Sequence, residues 1–179
     1  NTRSDVQKVR GLWKNTTDGQ IIEAVTFLLK FAPAKDVNLS IDYLVDNVRD
    51  AFHAREIFPW GLSVPWHIFL NDVLPYAVIN EDRDPWRPLF LEHYLHKYGT
   101  NLTSNKSWTT FEAVHFMNKV AWEIVNPPIV YKPSPPDRIN YYSPFTVMKH
   151  HYASCTGLSV FFTCAARSVG IPVRLTGTP

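Results

Sequence analysis

The chain is poor in cysteine, with two in 179 residues, Cys155 and Cys164. A disulfide framework of the kind that staples small secreted domains is therefore excluded. Nor can the two bridge each other within a helix. The nine-residue separation (164 − 155) rotates one side chain to the far side of the helix and carries it about 13 Å along the axis, beyond the reach of an S–S bond. Long apolar runs are also missing, so no stretch offers the roughly 20 residues that a membrane-spanning helix needs. Charge of one sign is scarce: the formal net charge is +2, without the clustered basic excess of a nucleic-acid binder. There is no internal repeat and no low-complexity tract. Asn80, Glu81, Asp82 and Asp84 lack the regular oxygen spacing and central glycine of a calcium loop. His93 and His96 with Glu92 share a helix face but offer no third partner of zinc-site type, so neither a metal nor another cofactor is expected. What is present is a composition 45% hydrophobic and 14% aromatic, which at this length supports one globular core.

Helix signals dominate the pattern. Asp18 is placed to cap a helix through Ile21, Ile22, Val25 and Leu28 that ends near Pro33, and Ser40 to cap another through Leu44, Val48, Ala51 and Phe52. Ser63 and Pro65 open a short helix over 66–70. Asp84 and Pro85 open a longer one that ends at Gly99. Thr109 and Glu112 form a capping box ahead of Phe111, Val114, Met117, Val120 and Ile124, and Pro127 and Pro128 stop that helix. The six prolines from 127 to 144 predict an extended, irregular crossing. Ser143 and Pro144 then begin a short helix ending near His151. This divides the chain into a helical region, 1–126, and a second part, 127–179.

In that second part Ala153-Ser154-Cys155-Thr156-Gly157-Leu158 leads into a helix whose Leu158, Phe161, Phe162, Ala165 and Val169 recur at intervals of three and four, and Gly170 supplies the left-handed residue that ends it. Pro172 forbids further helix, and Val173-Arg174-Leu175-Thr176 alternates as a strand would. A cysteine at a helix N-terminus faces unpaired N–H groups and the positive end of the dipole, the setting of a nucleophilic thiolate. Cys164, mid-helix, reads as a small buried hydrophobe.

Cys-x-Gly-x-Ser, a helix, and then Arg-Ser-Val-Gly-Ile-Pro-Val-Arg, from Ser154 to Pro179, resemble the core signature of the transglutaminase-like superfamily, relatives of the papain fold. A weaker likeness covers Phe69 to Tyr76, Asn80-Glu81 and Trp86-Arg87. The resemblance implies an α+β, papain/transglutaminase-like fold. This mainly helical chain would carry the nucleophile helix and the first core strand, and residues outside it would complete the sheet. The resemblance also implies that Cys155 is the nucleophile and that a histidine and an aspartate or asparagine follow the Gly-Ile-Pro-x-Arg strand. Those two are expected from a C-terminal segment of the same precursor or from a second chain produced by cleavage after Pro179. His150 and His151 precede the nucleophile, which is the wrong order for the base. The oxyanion would take one hydrogen bond from the Cys155 backbone N–H. The second donor, upstream in family members, has Trp122, Asn140 and Tyr142 as candidates. Arg174 matches the strand arginine and reads as an ion-pair anchor.

The function so implied is acyl transfer through a Cys155 thioester on a peptide or protein amide. A cysteine protease or amidase with water as acceptor is the nearest alternative. A binding or structural glycoprotein that keeps the fold without catalysis is the alternative from another class. Four sequons, at Asn15, Asn38, Asn101 and Asn105, exceed the roughly one or two that chance predicts and point to a eukaryotic secreted or lumenal glycoprotein, extracellular or vacuolar. Asn38 precedes a predicted helix, and Asn101 and Asn105 are expected in a polar loop.

Overall fold

The computed structural model describes residues 17–104, 108–133 and 143–177. Helix α1 (Asp18–Phe31) is opened by Thr17 rather than by Asp18. The Thr17 hydroxyl accepts from the Gln20 N–H, and the Gln20 side chain accepts in return from the Thr17 N–H at 3.1 Å. This is a capping box one residue earlier than the acidic residue suggests. Helix α2 (Ile41–Ile57) starts at Ser40, whose hydroxyl accepts from the Tyr43 N–H at 3.1 Å. A short turn, α3 (Trp66–Ile68), continues as π-helix over Phe69–Val73.

Helix α4 (Trp86–Ser104) runs a turn past the expected stop at Gly99. Leu102, fully buried, holds that extra turn against the core, and the Thr103 hydroxyl donates to the Gly99 carbonyl at 2.7 Å. Asp84, expected to cap α4, instead accepts from the Phe145 N–H at 2.7 Å, across the molecule at the start of α6. Helix α5 (Thr110–Val120) carries the expected Thr109–Glu112 capping box and tightens to 3-10 helix over Ala121–Ile124. Helix α6 (Pro144–His150) follows, capped by Ser143, and then α7 (Cys155–Ser168), which ends at Val169 and Gly170, the latter with φ +76°.

Strand structure among the described residues is one short parallel pair, β1 (Val130–Tyr131) and β2 (Tyr152–Ala153), with Val130 opposite Tyr152 and Tyr131 opposite Ala153. The expected strand at 173–176 does not form. Residues 171–177 carry no ladder, and the Val173 N–H donates sideways to the Asp72 carbonyl at 3.0 Å. Alternation in sequence makes a strand only where a partner edge is available, and among the described residues none pairs with 173–176 in a ladder. The described chain is mainly helical, as expected.

Two apolar clusters share α2. Ile21, Leu28, Val48, Phe52, Phe69 and Val73 belong to one, which joins α1, α2 and the π-helical segment. Ala54, Trp86, Phe90, Tyr94, Met117, Phe161 and Val169 belong to the other, which joins α2, α4, α5 and α7. Helices on both sides of residue 126 therefore contribute to the second cluster.

Two buried arginines tie the clusters together. Arg87 donates to Asn47 Oδ1 at 2.7 Å and to the carbonyls of Val73 at 2.7 Å and Arg167 at 2.9 Å. Arg167 in turn donates to the carbonyls of Asp72 at 3.0 Å and Ala77 at 2.8 Å. Burial, and then the charge of Arg167, lowers the Arg87 pKa to about 9. Carbonyl dipoles accept the guanidinium forks, which is how two like charges stay inside one core. Gly61 completes the joint at the end of α2, where a Cβ would stand 2.1 Å from the Arg55 carbonyl oxygen, so only glycine fits.

Candidate functional site

Cys155 is the first residue of α7 and is exposed, whereas Cys164 on the same helix is buried. Burial raises the Cys164 thiol pKa, which fixes it as an apolar group. The end of α7 that carries Cys155 differs from four other helix starts. Thr17, Ser40, Thr109 and Ser143 each hold a first-turn N–H with a side-chain oxygen, whereas Ser154 makes no such bond. The first-turn N–H groups of α7 thus lack that side-chain acceptor.

Cys155 opens on a groove of about 490 Å³. Along α7 the groove is lined by Cys155, Leu158, Ser159 and Phe162, positions three, four and seven apart that fall on one face. The spacing argument places Leu158 and Phe162 on one helix face with Phe161. The structure separates them: Phe161 is fully buried, while Leu158 and Phe162 are only partly buried and edge the groove. Trp122 and Asn118 contribute from α5 and its 3-10 extension, Tyr131 from β1, and Val173 to Leu175 from the extended tail.

Trp122, a candidate oxyanion donor, lies in this groove. Its indole stacks at 5.9 Å on both Phe161 and Phe162, and its N–H donates to the Asn118 carbonyl at 2.9 Å. That donor is already engaged within its own helix. Asn140 and Tyr142, the other candidates, lie outside the described residues, as do Asn15 and Asn105. Arg174 borders the groove and is held by Asp72, whose Oδ1 accepts from Nε at 2.9 Å with a second guanidinium nitrogen at 2.8 Å. Asp72 also receives the Val173 N–H on its backbone, so one residue of the π-helical segment positions the tail beside Cys155. Asp72 falls within the Phe69 to Tyr76 stretch of the weaker likeness, but nothing in the sequence marks it as the partner of Arg174.

Among the described residues no histidine lines this groove. His151 ends α6 in a left-handed conformation, φ +59°, with Nδ1 2.7 Å from the Pro127 carbonyl and its own carbonyl accepting from Val130 N–H at 3.0 Å. It braces the crossing onto β2. His93 is buried enough that desolvation, then Lys97 and His96, lowers its pKa. His96 and Glu92 line a separate open cleft with Asp50 and His53. Among the described residues no three His, Cys, Asp or Glu side chains are arranged to hold a metal ion, and no described helix is long and apolar enough to cross a membrane.

Of the described sequons, Asn38 lies in an exposed turn before α2. Asn101 is exposed as well, but on the last turn of α4 rather than in a loop, because the buried Leu102 extends that helix. Compared with protein-family models, with curated proteins and with solved structures, the chain matches none.

Proposed function

We propose that the protein is a transglutaminase-like cysteine acyltransferase of papain-like fold that works through a thioester on Cys155. The observation that carries this reading is the exposed cysteine at the uncapped start of α7, opening on an aromatic-lined groove, while the other cysteine is sealed in the core. In the proposed reaction Sγ, as thiolate, bonds to the carbonyl carbon of a peptide or protein amide. The C–N bond breaks, and the leaving amine takes the proton that the histidine removed from the thiol. An acceptor amine then attacks the thioester, gives its proton to the same histidine and releases the thiolate. First-turn N–H groups of α7, that of Cys155 among them, offer hydrogen bonds to the oxyanion.

Because the described lining of the groove has neither histidine nor carboxylate, the proposal assigns the base and its orienting group to a following segment or to a second chain of the same precursor. The exposed sequons at Asn38 and Asn101 support a secreted or lumenal setting, and a shift in mass on treatment with peptide N-glycosidase tests that setting.

The test of function uses protein expressed from the whole precursor, a glutamine peptide and a fluorescent alkylamine, followed by mass spectrometry. Amine incorporation that disappears in Cys155→Ala and persists in Cys164→Ala is expected. Peptide cleavage or ammonia release without incorporation would replace transferase by hydrolase. Wild type and Cys155→Ala turning over alike would overturn the enzyme reading in favour of a binding glycoprotein.

A further inference from the structure

Among the described side chains that line the groove, Arg174 alone carries a fixed charge, and none is a carboxylate. Its guanidinium is held from one edge. Nε stands 2.9 Å from Asp72 Oδ1 and Nη2 stands 2.8 Å from the same oxygen, so Asp72 occupies the side-on edge of the fork. A guanidinium has five N–H donors and a second, end-on edge, formed by Nη1 and Nη2, that also fits a carboxylate. Among the described residues that edge has no partner.

The pair is one-sided toward solvent. The Asp72 side chain is 11% exposed and that of Arg174 is 62% exposed, so the acid lies in the wall and the positive group is outermost. Asp72 is itself seated, its carbonyl accepting from the Val173 N–H and from Arg167 Nε, each at 3.0 Å. The guanidinium is thereby pre-oriented, and a second carboxylate meets a fork that has already lost much of its freedom. The rest of the described lining is neutral, with Trp122, Leu158 and Phe162 supplying apolar surface. A ligand that matches has an apolar part and one carboxylate; a cation finds no described acid in the lining.

We propose that Arg174 is a specificity-determining residue of the Cys155 site, its free guanidinium edge binding a carboxylate of the acyl-donor peptide. This rests on Cys155 as the reacting group and names a feature of its substrate.

The test does not need turnover. Protein expressed from the whole precursor is alkylated with iodoacetyl-Ala-Gln amide, which is neutral, with iodoacetyl-Ala-Glu amide, which carries a side-chain carboxylate, and with iodoacetyl-Ala-Gln acid, which carries a terminal one. Modification of Cys155 is followed by mass spectrometry, and each rate is divided by that of the same probe with N-acetylcysteine amide. At least one acidic probe is expected to exceed the neutral one by about fivefold, a modest factor because Arg174 is exposed. Which probe it is identifies the carboxylate as side chain or chain end. The preference should shrink in about 0.5 M NaCl, vanish in Arg174→Met and persist in part in Arg174→Lys, which keeps the charge without the fork. A role confined to holding the tail would slow all three probes alike in Arg174→Met and leave their ratios unchanged, which would overturn the proposal. So would a wild type that shows no acidic preference, or whose Cys155 none of the probes reaches, even if Arg174→Met failed to fold. If the Arg174-dependent preference appears but amine incorporation is absent, the acyltransferase reading falls and the carboxylate site stands. Amine incorporation without acidic preference has the reverse meaning.

Discussion

The two faces of α7 carry the same kinds of residue and put them to opposite use. One face bears Cys155, Leu158 and Phe162 along an open groove, and the other bears Phe161, Cys164 and Arg167 inside the larger cluster. Each face has a cysteine and a phenylalanine, and an arginine serves each side, Arg174 at the groove and Arg167 in the core. What separates them is solvent. On the buried face every polar atom must find a partner, and Arg167 does so on the carbonyls of Asp72 and Ala77. At the groove the side chains remain available, and Arg174, at 62% side-chain exposure, leans on a single carboxylate. The helix is thus sealed where it meets the core and accessible at the groove, the arrangement that the proposed role of Cys155 requires.

The sharpest break in the comparison comes from adjacent phenylalanines. Phe161 is fully buried against Phe90 at 5.2 Å and against Trp122. Phe161→Ala removes that packing and is expected to lower the urea unfolding free energy by about 3–5 kcal/mol. Phe162→Ala, one residue on, loses partial burial and is expected to cost about 1 kcal/mol. Equal stability losses at both positions would show that the groove face is part of the core.

The arginines give the next effect. Arg87→Met keeps the bulk of the side chain but leaves Asn47 Oδ1 and the carbonyls of Val73 and Arg167 without their donor in a buried seam. A loss of about 3 kcal/mol is expected by urea titration. Arg174→Met breaks a largely exposed ion pair and is expected to cost under about 1 kcal/mol, because water and salt screen such pairs. Should the two variants melt alike, the seam is not what ties the clusters together.

Much of this was legible beforehand, for reasons that particular residues show. Local chemistry announced the helices: Ser40, Thr109 with Glu112, and Ser143 with Pro144 begin helices where their hydroxyls reach a nearby N–H. Gly170 ends α7 because its φ is positive. The contrast between the two cysteines was also readable, since position along one helix decides it. The misreadings lie where a distant partner wins. Leu102 carries α4 past Gly99 because it is buried, Asp84 turns to the start of α6 rather than to α4, and 173–176 finds Asp72 where a strand partner was expected. The groove was illegible for the same reason. Tyr131 is 24 residues from Cys155 (155 − 131) and reaches it only through the β1–β2 pairing, which two-residue strands do not advertise.

The smallest expected effect separates the cysteines by pH. Burial raises the Cys164 pKa in the folded protein, so the native thiol stays protonated where the unfolded thiol, with a pKa of about 8.5, begins to ionise. Above that pH the native state binds more protons than the unfolded state, and stability falls as pH rises. Below it the two states bind alike, and the contribution is fully present. The difference in unfolding free energy between wild type and Cys164→Ala is therefore expected to be flat from pH 6 to 8. Between pH 9 and 10 it should shift against the wild type by about 1 kcal/mol. Taking the difference removes the buried Tyr94, whose raised pKa pushes the same way in both proteins. A difference that stays flat to pH 10 would mean that water reaches Cys164, and the division of α7 into an open and a sealed face would fail at the residue that defines it.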